Sequence, residues 1–294
     1  MTTNFIIEAA ESSLRLDKIL SLRFPLHSRT YFQYLIDTNQ VLINGLTPKK
    51  KDKTHVGDQV SVIFLASPDP KVTPENIPLD ILYEDDYLIA IHKPRGMVVH
   101  PGAGNSSGTL VNALLYHTKS LPEASSPLRP GIVHRLDKET TGVIIAAKTE
   151  LAHAKLVDLF KNRKIEKEYL AICDNVPKEG IVSLPIGRHP VKRKEMTIRD
   201  DGKEAITDIT VLKKYQTYSL VLAKPKTGRT HQIRVHLKAL KSPIIGDKLY
   251  GKPNKNAPYM LLHAHKLKFI HPFFHTPLHL EAPIPKEFCF FLEK

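Results

Sequence analysis

Charged side chains crowd one short stretch of the chain, residues 134–143, whose sequence is HRLDKETTGV. An apolar run, residues 143–147, overlaps its end and predicts a buried strand. A carboxylate next to such a strand loses hydration, which raises its pKa unless a nearby cation keeps it ionised. Arg135 and Lys138 lie within two residues of Asp137 and could act in this way. Asp137 is therefore a candidate for chemistry that requires an ionised carboxylate.

Asp137 also suits a purely structural role. Aspartate often caps turns, and Thr140, Thr141 and Gly142, which follow it, are typical turn residues. Spacing alone leaves both interpretations open, so the choice depends on whether another segment supplies a partner for the carboxylate.

A second polar segment, residues 224–237, has the sequence KPKTGRTHQIRVHL. If it forms a strand, Thr230, Gln232 and Arg234 share one face and apolar residues occupy the other. A buried arginine in this segment would supply a fixed counter-ion for Asp137. The alternative is a basic surface strand that binds phosphate without chemistry.

The chain as a whole is strongly basic. Lysine and arginine number 43 against 30 aspartates and glutamates, which gives a formal net charge of +13 over 294 residues. This balance favours a polyanionic partner, and it favours RNA or DNA over a membrane because the cations are not gathered on one amphipathic helix. A protein that is basic only for solubility remains an alternative. A length of this size suits two domains, and a hydrophobic fraction of 41% suffices for their cores.

Several classes of protein are disfavoured by the motifs that the sequence lacks. Cys173 and Cys289 form no CxxC pair, which argues for a reducing compartment without a disulfide framework or zinc knuckle. Acids stand where a signal peptide would be apolar, and no apolar run is long enough to span a bilayer. There is no HExxH, phosphate loop or GxSxG motif. We therefore expect a cytoplasmic monomer that uses no metal or cofactor and does not bind membranes.

Composition and periodicity divide the chain into three parts. These are a small unit over residues 1–68, a proline-rich linker over 69–78 and a larger unit over 79–294. In the larger unit, alternation predicts two strands that meet at a sharp bend over residues 93–96. Helical spacing predicts helices in GTLVNALLYH and ELAHAKLVDLFKNR, and the remainder, from Glu168 onward, is predicted mostly as short strands.

The small unit combines short helices with a hairpin. Apolar residues at helical spacing predict two helices, the second capped by Ser28, and Asn44-Gly45 predicts a tight turn between strands. Arg29 lies in the first turn of its helix, where a cation opposes the helix dipole, so a phosphate partner explains it better than helix stability. The residues that we predict to contact RNA in this unit are Arg15, Lys18, Arg29, Lys49, Lys50 and Lys51.

The polar segments also carry a resemblance to a known family. HRLDKETTG, KEYLA and TGRTHQIRVHL, in this order, resemble the three signature segments of the RluA-type pseudouridine synthases. HKPRGMVVHPG, PIIGDKLYG, LLHAHKLKF and LEAPIP match as well, so the resemblance covers residues 79–294. Further upstream, RLDKIL, SRTYFQYLI, VLING and VGDQVSV resemble the alpha-L RNA-binding domain first recognised in a small-subunit ribosomal protein.

The two resemblances together imply the fold and the activity. The fold is α+β, with an alpha-L RNA-binding domain in front of a mixed, mostly antiparallel catalytic sheet. The activity is the isomerisation of specific uridines in RNA to pseudouridine, without a cofactor. Members with this domain arrangement modify large-subunit ribosomal RNA, so the resemblance implies that substrate here.

The resemblance also assigns roles to individual residues. The family's catalytic aspartate corresponds to Asp137, and the arginine that pairs with it to Arg234, with Arg229 as the weaker candidate. The tyrosine that stacks on the uracil corresponds to Tyr169, which is also a candidate base, and the arginine that displaces the base corresponds to Arg135. The residues that we predict to contact RNA in the larger unit are His134, Arg135, Arg229, Thr230, His231 and Gln232.

This chemistry accounts for the residue types. The enzyme must break the bond from ribose to N1, rotate the uracil and join C5 to C1′, which requires an ionised carboxylate, a stacking platform and a proton acceptor. A paired target must first be flipped out of the helix, and a long cation can fill the gap.

Two functions of other classes remain alternatives. A non-catalytic RNA-binding or ribosome-assembly protein could keep the same scaffold, although the set of Asp137, Tyr169 and Arg234 favours an enzyme. A nucleoside hydrolase-like enzyme is disfavoured because no aspartate cluster suited to a calcium site is present.

Overall fold

The computed structural model describes residues 2–25, 27, 29–49, 52–65, 72–102, 105–118, 121–122 and 129–292. These residues form two compact units, one up to Leu65 and the other from Val72 onward, and each is described by itself. The predicted cap Ser28 and the predicted RNA contacts Lys50 and Lys51 lie outside the described residues.

The N-terminal unit packs helices against a small antiparallel sheet. Its elements are β1 (Thr2–Ile6), a 3-10 turn (Ala9–Glu11), α1 (Leu16–Arg23), α2 (Arg29–Asp37), β2 (Val41–Ile43) and β3 (Gln59–Ile63). The strands pair in the order β1-β3-β2. Leu16, Leu20 and Phe32, which the helical spacing places inward, are fully buried. The predicted helices are confirmed. Asn44-Gly45 does turn the chain, with a single bridge between Ile43 and Leu46, but β3, the strand that pairs with β2, begins only at Gln59, so the predicted tight turn does not join the two strands. Strand β1 was missed because its sequence TTNFI shows no apolar alternation.

The larger unit is built on one twisted sheet. Its strands are β4 (Ile81–Glu84), β5 (Leu88–Lys93), β6 (Thr141–Ala147), β7 (Glu166–Asp174), β8 (Gly180–Ser183), β11 (Ile206–Lys214), β12 (Tyr218–Pro225), β13 (Leu262–Ile270) and β14 (Pro277–Glu281), with β9 (Ile186–Arg188) and β10 (Met196–Ile198) as a separate pair. Neighbours in the sheet follow the order β4-β5-β6-β13-β7-β12-β11-β8, and β14 pairs with β13. The pairing of β6 with β13 is parallel and the other strand pairs described are antiparallel. The predicted α+β class with a mixed, mostly antiparallel sheet is confirmed.

Strand β6 is buried on both faces, which explains the apolar run in its sequence. Val143, Ile145 and Ala147 belong to the core on one face of the sheet, and Ile144 and Ala146 to the core on the other. The helices of this unit are α3 (Leu110–Thr118), α4 (Glu150–Lys161), α5 (Gln232–Ala239) and α6 (Lys286–Leu292). α4 covers the first face and α3 the second, so the two helices predicted from spacing are confirmed.

Strand β13 is inserted between β6 and β7. At the parallel crossing Ala264 is level with Gly142, whose φ is +116°. A Cβ on Gly142 would collide with the carbonyl oxygen of Ala264, so only glycine permits this approach. The crossing fixes the start of β6, which begins four residues after Asp137.

The predicted bend at residues 93–96 does not join two strands. β4 and β5 are joined at residues 85–87 instead, and no strand follows directly after β5. The fully buried Lys93 ammonium donates to the carbonyl oxygens of Pro94 at 2.8 Å, Met97 at 3.0 Å and Lys138 at 3.2 Å. These bonds curl the chain after β5 and tie it to the turn that holds Asp137.

The strand predicted across Thr230, Gln232 and Arg234 is wrong, because this segment leads into helix α5. Every residue from 232 to 237 is buried. A helix that is buried all round shows no 3.6-residue stripe, so its alternating apolar residues imitate a strand.

Residues 72–78, which the sequence assigns to the linker, lie in extended coil against α3. The Asn112 side chain donates to the carbonyl oxygen of Thr73 at 2.8 Å, and the Glu75 carboxylate accepts from the amide of Gly108 at 3.1 Å. Among the helices in the described part of the chain, none combines the length and apolar character needed to cross a bilayer.

Candidate active site

A cleft of about 600 Å³ opens in the larger unit. Its wall is formed by the turn before β6, the end of α4 with the residues that follow it, the first half of β7, the segment that leads from β12 into α5, and Leu262 of β13. Asp137, Tyr169 and Arg234, which the sequence places far apart, all contribute to its wall.

Asp137 and Arg234 form an ion pair in this cleft. The Arg234 Nη1 atom donates to Asp137 Oδ2 at 2.8 Å. Arg234 is 8% exposed, whereas Asp137 retains 22% of its side-chain surface. The carboxylate is thus neutralised from the protein side and remains open toward the cleft.

A second aspartate holds the arginine in place. Asp247 accepts from Arg234 Nε at 2.7 Å and from Nη2 at 2.9 Å. It also accepts from the amides of Leu249 and Tyr250, so its own orientation is fixed by the backbone. Burial would lower the pKa of Arg234, but the hydrogen bonds and charge of Asp247, with those of Asp137, outweigh it and raise the pKa.

The turn before α5 is organised by Gln232. Its side-chain oxygen accepts from the Thr227 hydroxyl at 2.7 Å and the Arg229 amide at 3.0 Å, and its nitrogen donates to the Ile206 carbonyl and the Thr207 hydroxyl, both at 2.9 Å. The amide group is therefore saturated inside the protein. Gln232 has no side-chain donor or acceptor left for RNA, and its observed task is to set the direction of α5.

Tyr169 projects from β7 into the same cleft. Its ring packs against apolar residues of the surrounding cores, and its neighbour across the strand pair is Ala264. Burial raises the pKa of the phenol, and the negative charge of Asp137 raises it further. The side chain is therefore a neutral phenol at pH 7, which suits stacking; a role as base would require prior loss of its proton.

His231 precedes α5 with a left-handed backbone, φ 57°. The Tyr250 hydroxyl accepts from the Met196 amide at 2.7 Å, so its own hydrogen is free to donate to His231 Nδ1 at 2.8 Å. Burial lowers the pKa of His231. The neutral ring then carries its hydrogen on Nε2, which faces Asp137 Oδ2 across 3.8 Å.

His134 also lines the cleft, but its ring is used by the fold. Nε2 accepts from the amide of Ile145 at 2.9 Å, and the ring stacks on Phe160. Burial lowers the pKa of His134 to about 3, with a further contribution from Lys167. A neutral acceptor of this kind is not a cation for phosphate, so the predicted RNA contact of His134 would have to use its other ring nitrogen.

The remaining predicted contacts lie at the rim. Arg135 and Thr230 are exposed there, and Arg229 is tied by its Nε to the carbonyl oxygen of Glu204 at 2.8 Å. Arg229 does not pair with Asp137, which agrees with the choice of Arg234 as the partner.

Sequence reasoning missed two residues that complete the site, Asp247 and Tyr250. Both lie in PIIGDKLYG, a segment that was matched to the family without a role for its side chains. A signal was available, since an aspartate directly after a glycine turn is a common acceptor of backbone amides. Among the described residues, no three His, Cys, Asp or Glu side chains converge as a metal site would require.

In the N-terminal unit, two of the predicted RNA contacts meet at one buried carboxylate. Asp17 accepts from Arg15 at 2.9 Å and from Arg29 at 2.8 Å, and Gln33 donates to it at 2.6 Å. Asp17 is thus a partner within the protein for Arg29 at the start of its helix, where the sequence suggested only a phosphate partner. Lys18 and Lys49 are exposed.

Comparison with known proteins places this site in a family. The sequence profile described as RNA pseudouridylate synthase matches residues 87–239. An uncharacterised RNA pseudouridine synthase of Aquifex aeolicus is 44% identical over 91% of this chain and 89% of its own length. The ribosomal large subunit pseudouridine synthase D of Pasteurella multocida is 40% identical over 100% of this chain and 94% of its own length.

A solved structure agrees with this likeness. The human RNA pseudouridylate synthase domain containing 1 superposes with a TM-score of 0.57 at 28% identity, covering 70% of this chain and 83% of that one. This chain therefore belongs to the RNA pseudouridylate synthase family, the isomerases that convert uridine in RNA to pseudouridine.

Proposed function

We propose that this enzyme isomerises specific uridines of large-subunit ribosomal RNA, with Asp137 as its catalytic carboxylate. The observation that carries the proposal is the ion pair of Asp137 and Arg234 at the wall of a cleft that also holds Tyr169. Relatives named ribosomal large subunit pseudouridine synthase D and the formal net charge of +13 support the choice of RNA.

Asp137 acts at the ribose. The bond between C1′ and N1 breaks, the bond between C1′ and C5 forms, N1 gains a proton and C5 loses one, so the product is an isomer. The carboxylate contributes either by attack on C1′ or by removal of a ribose proton, and both require it to be ionised. Arg234 is the cation that pairs with this carboxylate at the wall of the cleft.

Tyr169 and Arg135 hold the RNA during this step. The neutral Tyr169 ring stacks on the uracil while the base is detached, a contact worth about 1–3 kcal/mol per base. Arg135, exposed at the rim next to Asp137, fills the gap that the flipped nucleotide leaves in its helix.

The N-terminal unit binds a more distant part of the same RNA. Two observations support this assignment, namely the likeness of the unit to the alpha-L domain and the ion pairs of Arg15 and Arg29 with Asp17. We take residues 1–68 as the domain and 69–78 as the linker. We also propose that the protein is a cytoplasmic monomer, which cell fractionation and sedimentation would test.

The substrate is tested by mapping pseudouridines in total RNA from cells with and without this protein. We expect one or more uridines of large-subunit ribosomal RNA to stay unmodified in its absence, and the purified protein to convert those uridines in an unmodified transcript. Sites lost only from transfer RNA or other RNAs would contradict the proposed substrate but not the family.

A further inference from the structure

Strand β7 places a lysine in the cleft beside Tyr169. Side chains of a strand alternate between its faces, so Lys167 shares the face of Tyr169 and both line the cleft. Glu168 is on the other face, where it pairs with Lys224 at 3.1 Å and Lys268 at 2.9 Å. The acids of this strand are therefore used away from the cleft, and Lys167 faces it without them.

The Lys167 ammonium is poorly compensated. In the described part of the chain no hydrogen bond or ion pair engages it, and it is partly buried. Burial lowers its pKa to about 8, with further contributions from the positive charges of Arg163 and Lys226. An ammonium that is both desolvated and surrounded by cations is unfavourable in the free protein.

The same wall of the cleft carries further cations. Lys161 and Arg163, at the end of α4, and Lys226, after β12, also line it. Arg163 is oriented by Glu204 at 2.7 Å, and both side chains of that pair are about half exposed. Glu204 does not itself line the cleft, so among the described lining residues Asp137 is the only carboxylate.

The chemistry of this wall selects an anion. A uracil carbonyl is neutral and would leave the charge uncompensated, whereas a phosphodiester carries a full negative charge and acceptor oxygens. We propose that Lys167, flanked by Arg163 and Lys226, binds an RNA backbone phosphate next to the target uridine. This inference rests on the proposed function, because it takes the polymer in the cleft to be RNA.

Such a residue has effects of opposite sign on folding and on binding. Lys167→Met keeps the length of the side chain and removes an uncompensated charge, so the free protein should be as stable as the parent or more stable. RNA affinity should fall by about 10- to 100-fold, the usual range for a charge-assisted hydrogen bond. If the lysine only packed the cleft wall, Lys167→Met would leave RNA affinity unchanged, because methionine keeps the apolar contacts of the lysine stem.

The test uses the full-length protein and the shortest fragment of a large-subunit ribosomal RNA transcript in which the parent converts a uridine. Lys167→Met and Lys167→Arg are compared with Lys164→Met, an exposed lysine nearby that does not line the cleft. Affinity is measured for a set of these fragments. Each fragment carries one uncharged methylphosphonate linkage within three nucleotides of the target, and the nucleotide on the 5′ side of that linkage carries a 2′-O-methyl group.

We expect one linkage at which neutralisation weakens binding by the parent about tenfold or more but leaves Lys167→Met unaffected. Lys167→Arg should recover part of the affinity, and Lys164→Met should behave like the parent. Equal sensitivity of the parent and Lys167→Met at every linkage, or a lower melting temperature of Lys167→Met that accounts for its weaker binding, would overturn the inference. A parent protein that converts no uridine in any RNA would instead contradict the proposed function.

Discussion

Two buried aspartates, Asp247 in the larger unit and Asp17 in the N-terminal unit, both hold arginine but with opposite results. Asp247 encloses Arg234, which is 8% exposed, and the group left open to solvent is the Asp137 carboxylate, 22% exposed. Asp17 is 0% exposed, and its two arginines, Arg15 and Arg29, are 45% and 46% exposed.

The difference shows how one kind of ion pair serves two purposes. Where the aspartate and the arginine are both enclosed, the cation stabilises a further acid, and the site presents negative charge for chemistry. Where only the aspartate is enclosed, it fixes the direction of the arginines, and the site presents positive charge in a defined geometry. The first arrangement suits catalysis and the second suits phosphate contacts.

The largest expected effect is at Asp137, the exposed member of its ion pair with Arg234. Asp137→Asn keeps the shape of the side chain and removes its charge, so isomerisation should fall by roughly 10³-fold or more, while RNA binding stays close to that of the parent. Release of tritium from C5-labelled RNA, measured in single turnover, checks this. Activity within tenfold of the parent would remove Asp137 from the mechanism.

Asp247, the buried aspartate that holds Arg234, should matter for both stability and turnover rate. Asp247→Asn leaves Arg234 with a weaker partner in a buried site, which should destabilise the larger unit by about 3–5 kcal/mol and lower turnover because Arg234 is no longer fixed. Chemical denaturation and single-turnover rates measure the two effects.

Asp201→Asn is the matched control for that experiment. Asp201 also accepts two hydrogen bonds from an arginine, Arg199, but it is 68% exposed. Its loss should change stability by less than about 1 kcal/mol. If the two variants behave alike, burial is not what distinguishes the Asp247 site.

The N-terminal site makes a prediction about acid. Burial would raise the pKa of Asp17, but hydrogen bonds from Arg29, Gln33 and Arg15 lower it from 3.8 to about 2. Because the folded-state pKa is the lower one, Asp17 contributes roughly 2 kcal/mol above pH 4, and this contribution is lost as the pH falls from about 4 to 2. Hydrogen exchange of amides in residues 2–65 should show the loss.

Asp17→Asn tests the origin of that loss. The variant should be less stable than the parent at pH 7, and the gap should narrow between pH 4 and 2. A gap that stays constant over this range would mean that the ion pairs of Asp17 do not stabilise the unit.

The smallest expected effect is at Arg29, one of the two exposed arginines that pair with Asp17. Arg29→Gln should weaken binding to a long ribosomal transcript and reduce the slope of log K against log salt by about 0.7–0.9, the value for one phosphate contact. Conversion of a short target fragment should not change, because the fragment does not extend to a second binding region. Equal loss on both RNAs would make Arg29 a structural residue that only pairs with Asp17.

Both residues of the Asp137–Arg234 ion pair could be named from the sequence, but only one of the two elements that position them was predicted correctly. The apolar run after Asp137 predicts strand β6. The segment that contains Arg234 was identified as the source of the partner of Asp137, although the secondary structure of this segment was predicted wrongly. The helix was missed because the first six residues of α5 are all buried, which hides its period. The identity of a charged partner depends on residue type, and it survives an error in the local fold.

The enclosed aspartates could not be predicted because their roles depend on distant contacts. Asp17 and Arg29 are 12 residues apart, and Asp247 and Arg234 are 13 residues apart. Neither pair has the spacing of neighbours on one helix or strand. The hairpin turn at residues 85–87 was misplaced for a related reason, since the bonds of Lys93 that curl the later segment reach across 45 residues to Lys138.

The position of β13 has a consequence for the time course of synthesis. The turn that carries Asp137 leads into β6 and Tyr169 lies on β7, yet these strands do not pair with each other, because β13 lies between them and is made about a hundred residues later. A nascent chain that ends before Leu262 therefore lacks the strand that brings the two residues together, although Arg15 and Arg29, which we propose to contact RNA, have already been made. Non-local pairing of this kind is acquired late in folding. Catalytic competence should appear abruptly near the end of translation, after the capacity to hold RNA.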